Sequence, residues 1–112
     1  MPLLQINTNI NVAEIDQLAT DASKLIAGLL GKPESYVMIS VTDKSTLLFA
    51  GTAEPAAHLK LKSLGLDEDA TTAYSETLCQ FINEKLDIPG SRIYIEFFNP
   101  DRHLWGWDDG TF

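Results

Sequence analysis

A single cysteine, Cys79, leaves the chain no internal disulfide, and the two histidines, His58 and His103, stand too far apart for the short ligand spacing of a zinc site. Basic residues are equally scarce: eight Lys and Arg face sixteen Asp and Glu, for a formal charge of −8. Phosphate recognition needs a clustered cationic surface, so this scattering argues against nucleic acid and, on the same ground, against anionic membranes. No apolar run approaches the roughly 18 residues of a membrane span. The amino terminus has no basic stretch, apolar core and small-residue cleavage site of a secretory signal, which makes the cytoplasm the expected compartment and leaves only non-classical export open. Nothing in the residue pattern calls for a metal or an organic cofactor.

The chain has 112 residues, 45% of them hydrophobic and 21% charged. That length predicts one domain, 1–112, with a single small core that oligomerisation would help to complete. Cys79 stands in the apolar run Leu78-Cys79-Gln80-Phe81-Ile82, where it reads as a buried helix residue.

Hydrophobic spacing divides the chain into two copies of one pattern, pseudo-repeats of about 2–50 and 57–108. Leu3 to Asn7 reads as a strand. Asn11 followed by Glu14 has the spacing of a capping box, so a helix is expected to start there. Ile15, Leu18, Ala19, Ala22, Leu25, Ile26 and Leu29 fall on one helical face, and Gly31 with Pro33 ends it. Val37, Ile39 and Val41 then alternate with polar or exposed-type neighbours, the period of a strand. The second copy runs from the alternating His58–Lys62 through acidic Asp67-Glu68-Asp69 into a helix carrying Tyr74, Leu78, Phe81 and Ile82. Ile88-Pro89-Gly90 breaks that helix and Arg92 to Phe98 returns as a strand. Short extra strands are expected at Leu47–Gly51 and at Trp105-Gly106-Trp107.

The economical packing of these pieces is an α+β fold, a four-stranded sheet with two helices on one face and parallel strands within each β-α-β unit. Its other face would then lie open, with Met38, Leu61, Tyr94 and Phe98 as candidates to point that way. An exposed apolar sheet of that extent implies a partner, and three sheets around an axis would bury those faces and leave clefts between subunits.

Pro2 is the candidate reactive group. Directly behind the initiator methionine, it becomes a secondary amine if Met1 is removed, and the strand that follows would hold that amine rigidly. Tyr94 and Glu96 lie two apart on a strand and so share a face, opposite Ile93, Ile95 and Phe97.

Taken in order, several stretches resemble the macrophage migration inhibitory factor family of the tautomerase superfamily: Pro2 with Asn7-Thr8-Asn9, Gly31-Lys32-Pro33 with Tyr36, Ser63-Leu64-Gly65, Tyr74-Ser75 with Leu78-Cys79, Arg92-Ile93-Tyr94-Ile95, and the tail Gly106 to Phe112. The resemblance implies a homotrimer of two β-α-β repeats per subunit. It also implies keto–enol tautomerisation of a small aromatic α-keto acid such as phenylpyruvate, with processed Pro2 as general acid/base. Lys32 would then lower the amine's pKa and grip the substrate carboxylate, while Tyr94 donates a hydrogen bond or stacks on the substrate from a neighbouring subunit. Leu64, Tyr36, Trp107 and Phe112 would form apolar walls that keep the amine desolvated.

Two positions depart from the best-known animal members. Glu96 replaces an asparagine and would repel an anionic substrate unless it turns away, pairs with a cation or is protonated. Trp105 replaces a smaller aliphatic residue and would narrow the pocket. The Cys-x-x-Cys pair of some animal members is absent, Ala56 and Leu59 standing in its place, which removes the basis for thiol–disulfide chemistry. A second class of function stays open beside the enzyme, a cytokine-like protein-binding role with an unidentified receptor.

Overall fold

The computed structural model describes residues 1–112. Leu3–Thr8 forms strand β1, burying Leu4, Ile6 and Thr8 on one side while Leu3, Gln5 and Asn7 stay half-buried on the other. Helix α1, Ile15–Leu30, lays Leu18, Ala22 and Ile26 against the sheet at four-residue intervals. It stops at Gly31, whose φ of 63° is the left-handed geometry in which glycine avoids a Cβ clash. Met38–Thr42 forms β2, parallel to β1. The second unit follows with β3, Ala57–Lys62, then helix α2, Thr71–Leu86, and β4, Ile93–Phe98. β3 runs antiparallel to β1 and parallel to β4, so the mixed sheet has the order β2-β1-β3-β4. A two-residue hairpin, β5 at Gly106–Trp107 and β6 at Gly110–Thr111, closes the chain. No helix is long and apolar enough to cross a membrane.

The core lies between the sheet and the two helices, where Leu4, Ile6, Leu59 and Leu61 meet Ile26, Leu78 and Ile82, all at most 1% exposed. Leu61 therefore points to the helices, contrary to its expected place on the open face. It pairs with Leu4 in the β1–β3 register and shares that residue's buried side, whereas Lys60 and Lys62 take the alternate positions. Met38 and Tyr94 do stand out on the open face, 65% and 67% exposed, and Phe98 is half-buried. Cys79 is half-buried rather than buried, on the side of α2 next to Gly90.

Two local expectations fail for identifiable reasons. The capping box at Asn11 and Glu14 does not form: α1 begins at Ile15, and its N-cap Glu14 makes no side-chain cap bond. The entry is tied from elsewhere in the chain, by Asp43 Oδ2 accepting from the Val12 N–H at 2.9 Å and Ile10 O accepting from the Lys44 N–H at 2.9 Å. Leu47–Gly51 makes no strand either, only a single bridge between Phe49 and Thr52, because Ala50 and Gly51 turn the chain at φ 53° and 76°.

That turn belongs to the connection between β2 and β3, which side chains from the sheet hold in place. Asn9 Nδ2 donates to the carbonyls of Leu47, Ala53 and Glu54, and its Oδ1 accepts from the Ala56 N–H. Thr8 Oγ1 donates to Ala56 O at 2.8 Å, and Ser45 Oγ to Asn7 Oδ1. Arg92 donates to Pro55 O, Phe49 O, Glu54 O and Thr52 O, with its guanidinium 5.2 Å from the Phe49 ring centre. The Asn7-Thr8-Asn9 stretch and Arg92 thus have a structural duty: they satisfy the polar backbone of a long connection.

Candidate active site

Pro2 is fully buried at the head of β1. Its carbonyl accepts from the Met38 N–H at 2.9 Å, which extends the β1–β2 pairing back to the second residue of the chain. The residue is therefore set by sheet geometry and not by a loose terminus. It borders a cleft of about 560 Å³ with Leu3, Tyr36, Met38, Phe98, Pro100, Leu104, Trp105 and Trp107 around it, within the size range of small-molecule sites. Met1, Gly106 and Lys62 complete the lining, which contains no carboxylate.

The walls are built by the carboxy-terminal segment folding back over the sheet. Tyr36, on the 3₁₀ turn Glu34–Tyr36 after α1, meets Trp107 edge-on at 6.2 Å between ring centres. Trp107 in turn stacks on Phe112 at 6.0 Å and 13°, and the Phe112 N–H donates to Trp105 O. Phe112 supports the wall from behind instead of lining the cleft. Trp105 is one of the residues lining the cleft.

The Met1 α-amine, at the edge of this cleft, is held below its ordinary value of 8.0 first by partial burial and then by the positive charges of Lys32 and Arg102. Lys32 does not line the cleft, yet its field reaches the terminus.

Besides Lys32 and Phe112, three further expected site residues lie outside the cleft in this chain. Leu64 is buried beyond the end of β3 without reaching the cleft. Tyr94 and Glu96 sit on β4, two strands away from β1. Tyr94 packs on Phe49 with ring centres 4.8 Å apart, and Glu96 Oε2 shares a hydrogen bond with His58 Nε2. Of the lining residues not anticipated, Lys62 is the most consequential. It arrives through the pairing of Leu3 with Lys62 across β1 and β3, a relation between distant segments that no local spacing announces.

Comparison with known proteins agrees with this architecture over the full length. The family model for macrophage migration inhibitory factor matches residues 1–112. A macrophage migration inhibitory factor homolog of Trichinella spiralis is 34% identical and one of Trichuris trichiura 36%, each alignment covering 100% of both chains. Among solved structures, a macrophage migration inhibitory factor homologue from Prochlorococcus marinus superposes with a TM-score of 0.93 at 40% identity, over 98% of each chain. The Trichinella spiralis structure also gives 0.93, at 33% identity over 98% of this chain and 99% of that one.

Proposed function

The chain belongs to the macrophage migration inhibitory factor family, in the tautomerase superfamily, and on that premise we propose that it is a cytoplasmic keto–enol tautomerase of phenylpyruvate-like α-keto acids. The observation that carries the reading is Pro2, buried and fixed at the wall of a largely apolar cleft. Once Met1 is cleaved, the Pro2 nitrogen is a secondary amine in that setting. Desolvation and neighbouring cations penalise its protonated form, as they do for the Met1 amine, and a base that is neutral near pH 7 is what proton abstraction requires.

In the enolising direction Pro2 takes the proton from the carbon beside the keto group. The C–H electron pair becomes the new C=C bond, the carbonyl pair moves to oxygen, and the proton on Pro2 is returned to that oxygen. Atoms and charge balance without any oxidant or cofactor. Lys32, outside the lining but with its charge acting on the amine at the cleft edge, is the proposed carboxylate anchor, and Tyr36, Trp105 and Trp107 hold the aromatic end of the substrate away from water, with Phe112 bracing them.

The same reading makes the protein a homotrimer of single-domain subunits, each built of the pseudo-repeats 2–50 and 57–108. Met38 and Tyr94, exposed on the helix-free sheet face, support it, as does the distance in strand order between Tyr94 and the cleft: a neighbouring copy is what brings Tyr94 and Glu96 toward Pro2.

Phenylpyruvate ketonisation by the wild type, by Pro2→Gly and by a form retaining Met1 tests the mechanism, with intact mass verifying the terminus. Loss of most activity in the two altered forms is expected. Three equally active or three inert proteins reject the proline mechanism and leave the protein-binding role in its place.

A further inference from the structure

The chain carries a charge of −8, yet its Pro2 cleft is lined by no Asp or Glu and does include Lys62. Of the eight Lys and Arg residues, Lys62 lines this cleft while Lys32 and Arg102 act on the amine at its edge. None of the three has a carboxylate within 4.0 Å, in contrast to Lys85, which pairs with Asp21. Lys62 Nζ instead rests 5.1 Å from the centre of the Phe98 ring, itself a lining residue, and this contact steadies the ammonium without neutralising it. The two lysines also flank Pro2. Lys32 lies on the connection that leads into β2, on one side of β1, and Lys62 ends β3, on the other.

We infer that Lys62 is a second anion-binding residue of this cleft, so that its preferred ligand is an apolar-bodied dianion, a 2-oxo acid bearing another carboxylate at the end remote from the keto group. One carboxylate is drawn to the end of the cleft where the charge of Lys32 acts, the aromatic or aliphatic body lies along Tyr36 and Trp107, and the distal carboxylate meets Lys62. An ammonium with no internal counter-ion gives a charge-assisted hydrogen bond its full discrimination, because no existing pair must first be broken. The inference rests on the proposed site at Pro2 but not on turnover there, and the two are tested separately.

Binding of two unreactive probes, cinnamate and 4-carboxycinnamate, followed through quenching of Trp105 and Trp107, reads the preference directly. The wild type should bind 4-carboxycinnamate about ten-fold more tightly than cinnamate. Lys62→Met should bring the two affinities to within about two-fold of each other, and Lys62→Arg should restore the preference, which guards against a misfolded variant. Equal affinities in the wild type, or a preference that survives Lys62→Met, overturn the assignment. If ketonisation fails while the ratio persists, the tautomerase reading falls and the dianion site stands.

Discussion

Glu96 Oε2 is hydrogen-bonded to His58 Nε2 across the parallel strands β3 and β4, so the carboxylate that would repel an anionic substrate is already engaged within its own subunit. Both side chains are partly exposed, at 34% and 49%, so the pair adds little to stability, about 0 to 1 kcal/mol. Its weight falls on substrate binding. His58→Gln should leave the unfolding midpoint nearly unchanged and raise the KM for phenylpyruvate several-fold by freeing the carboxylate. Glu96→Gln in the same chain should return KM toward the wild-type value, and a double-mutant cycle in steady-state kinetics measures the coupling.

The amine at the amino terminus supplies a pH prediction. In the form retaining Met1, burial, Lys32 and Arg102 lower the α-amine from 8.0, so between the lowered value and 8.0 the unfolded chain binds more protons than the folded one. Stability therefore rises with pH across that window and levels off above it. Acylation of the terminus at limiting reagent, followed by peptide mass spectrometry, should titrate below 8.0 in the folded protein, and Lys32→Gln should move the midpoint up. Under the proposed mechanism, removal of Met1 exposes the Pro2 nitrogen to the same surroundings, and kcat/KM is expected to fall on acidification as the neutral base is lost.

Arg92 is the clamp of the connection between β2 and β3, with donors spent on four backbone carbonyls. A lysine cannot reproduce that fork, so Arg92→Lys should destabilise the fold by roughly 1 to 3 kcal/mol in urea titrations. Hydrogen exchange should quicken at the amides of residues 49–54 before those of the sheet. Uniform protection of that segment in the variant would sink the assignment.

Gly31 isolates backbone strain from packing. A Cβ placed there meets nothing within 4 Å, yet the residue sits at φ 63°. Gly31→Ala should therefore cost about 1 kcal/mol, visible as a lower urea midpoint with an unchanged slope. A loss several times larger would mean that the methyl group has displaced neighbours after all.

Much of this was legible residue by residue. The face Leu18, Ala22 and Ile26 follows from helical spacing, the stop at Gly31-Lys32-Pro33 from turn chemistry, and β2 and β4 from alternation, because each signal is carried by neighbours in sequence. Leu61 faces the helices and not the open side, a choice hidden from local pattern because alternation along β3 gives two faces without saying which one the helices cover; the pairing with Leu4 decides that. Asn11 and Glu14 have the right spacing for a cap, but the helix starts three residues later than that box requires, with Glu14 itself at the N-cap, while Asp43, some thirty residues on, holds the Val12 N–H. The place of Lys62 in the cleft is hidden from local spacing for the same kind of reason, since it depends on register with Leu3.

The position of β1 has one more consequence. It lies inside the sheet, paired on both sides, with Pro2 joined to that ladder through Met38. Chain termini ordinarily fray first and are the first substrate of exopeptidases. Here the opening segment cannot be released without parting the central strands, so trimming by an aminopeptidase beyond Met1 is restrained by the free energy of global unfolding and not by that of a local fluctuation. The proposed catalytic nitrogen would accordingly survive as long as the fold does.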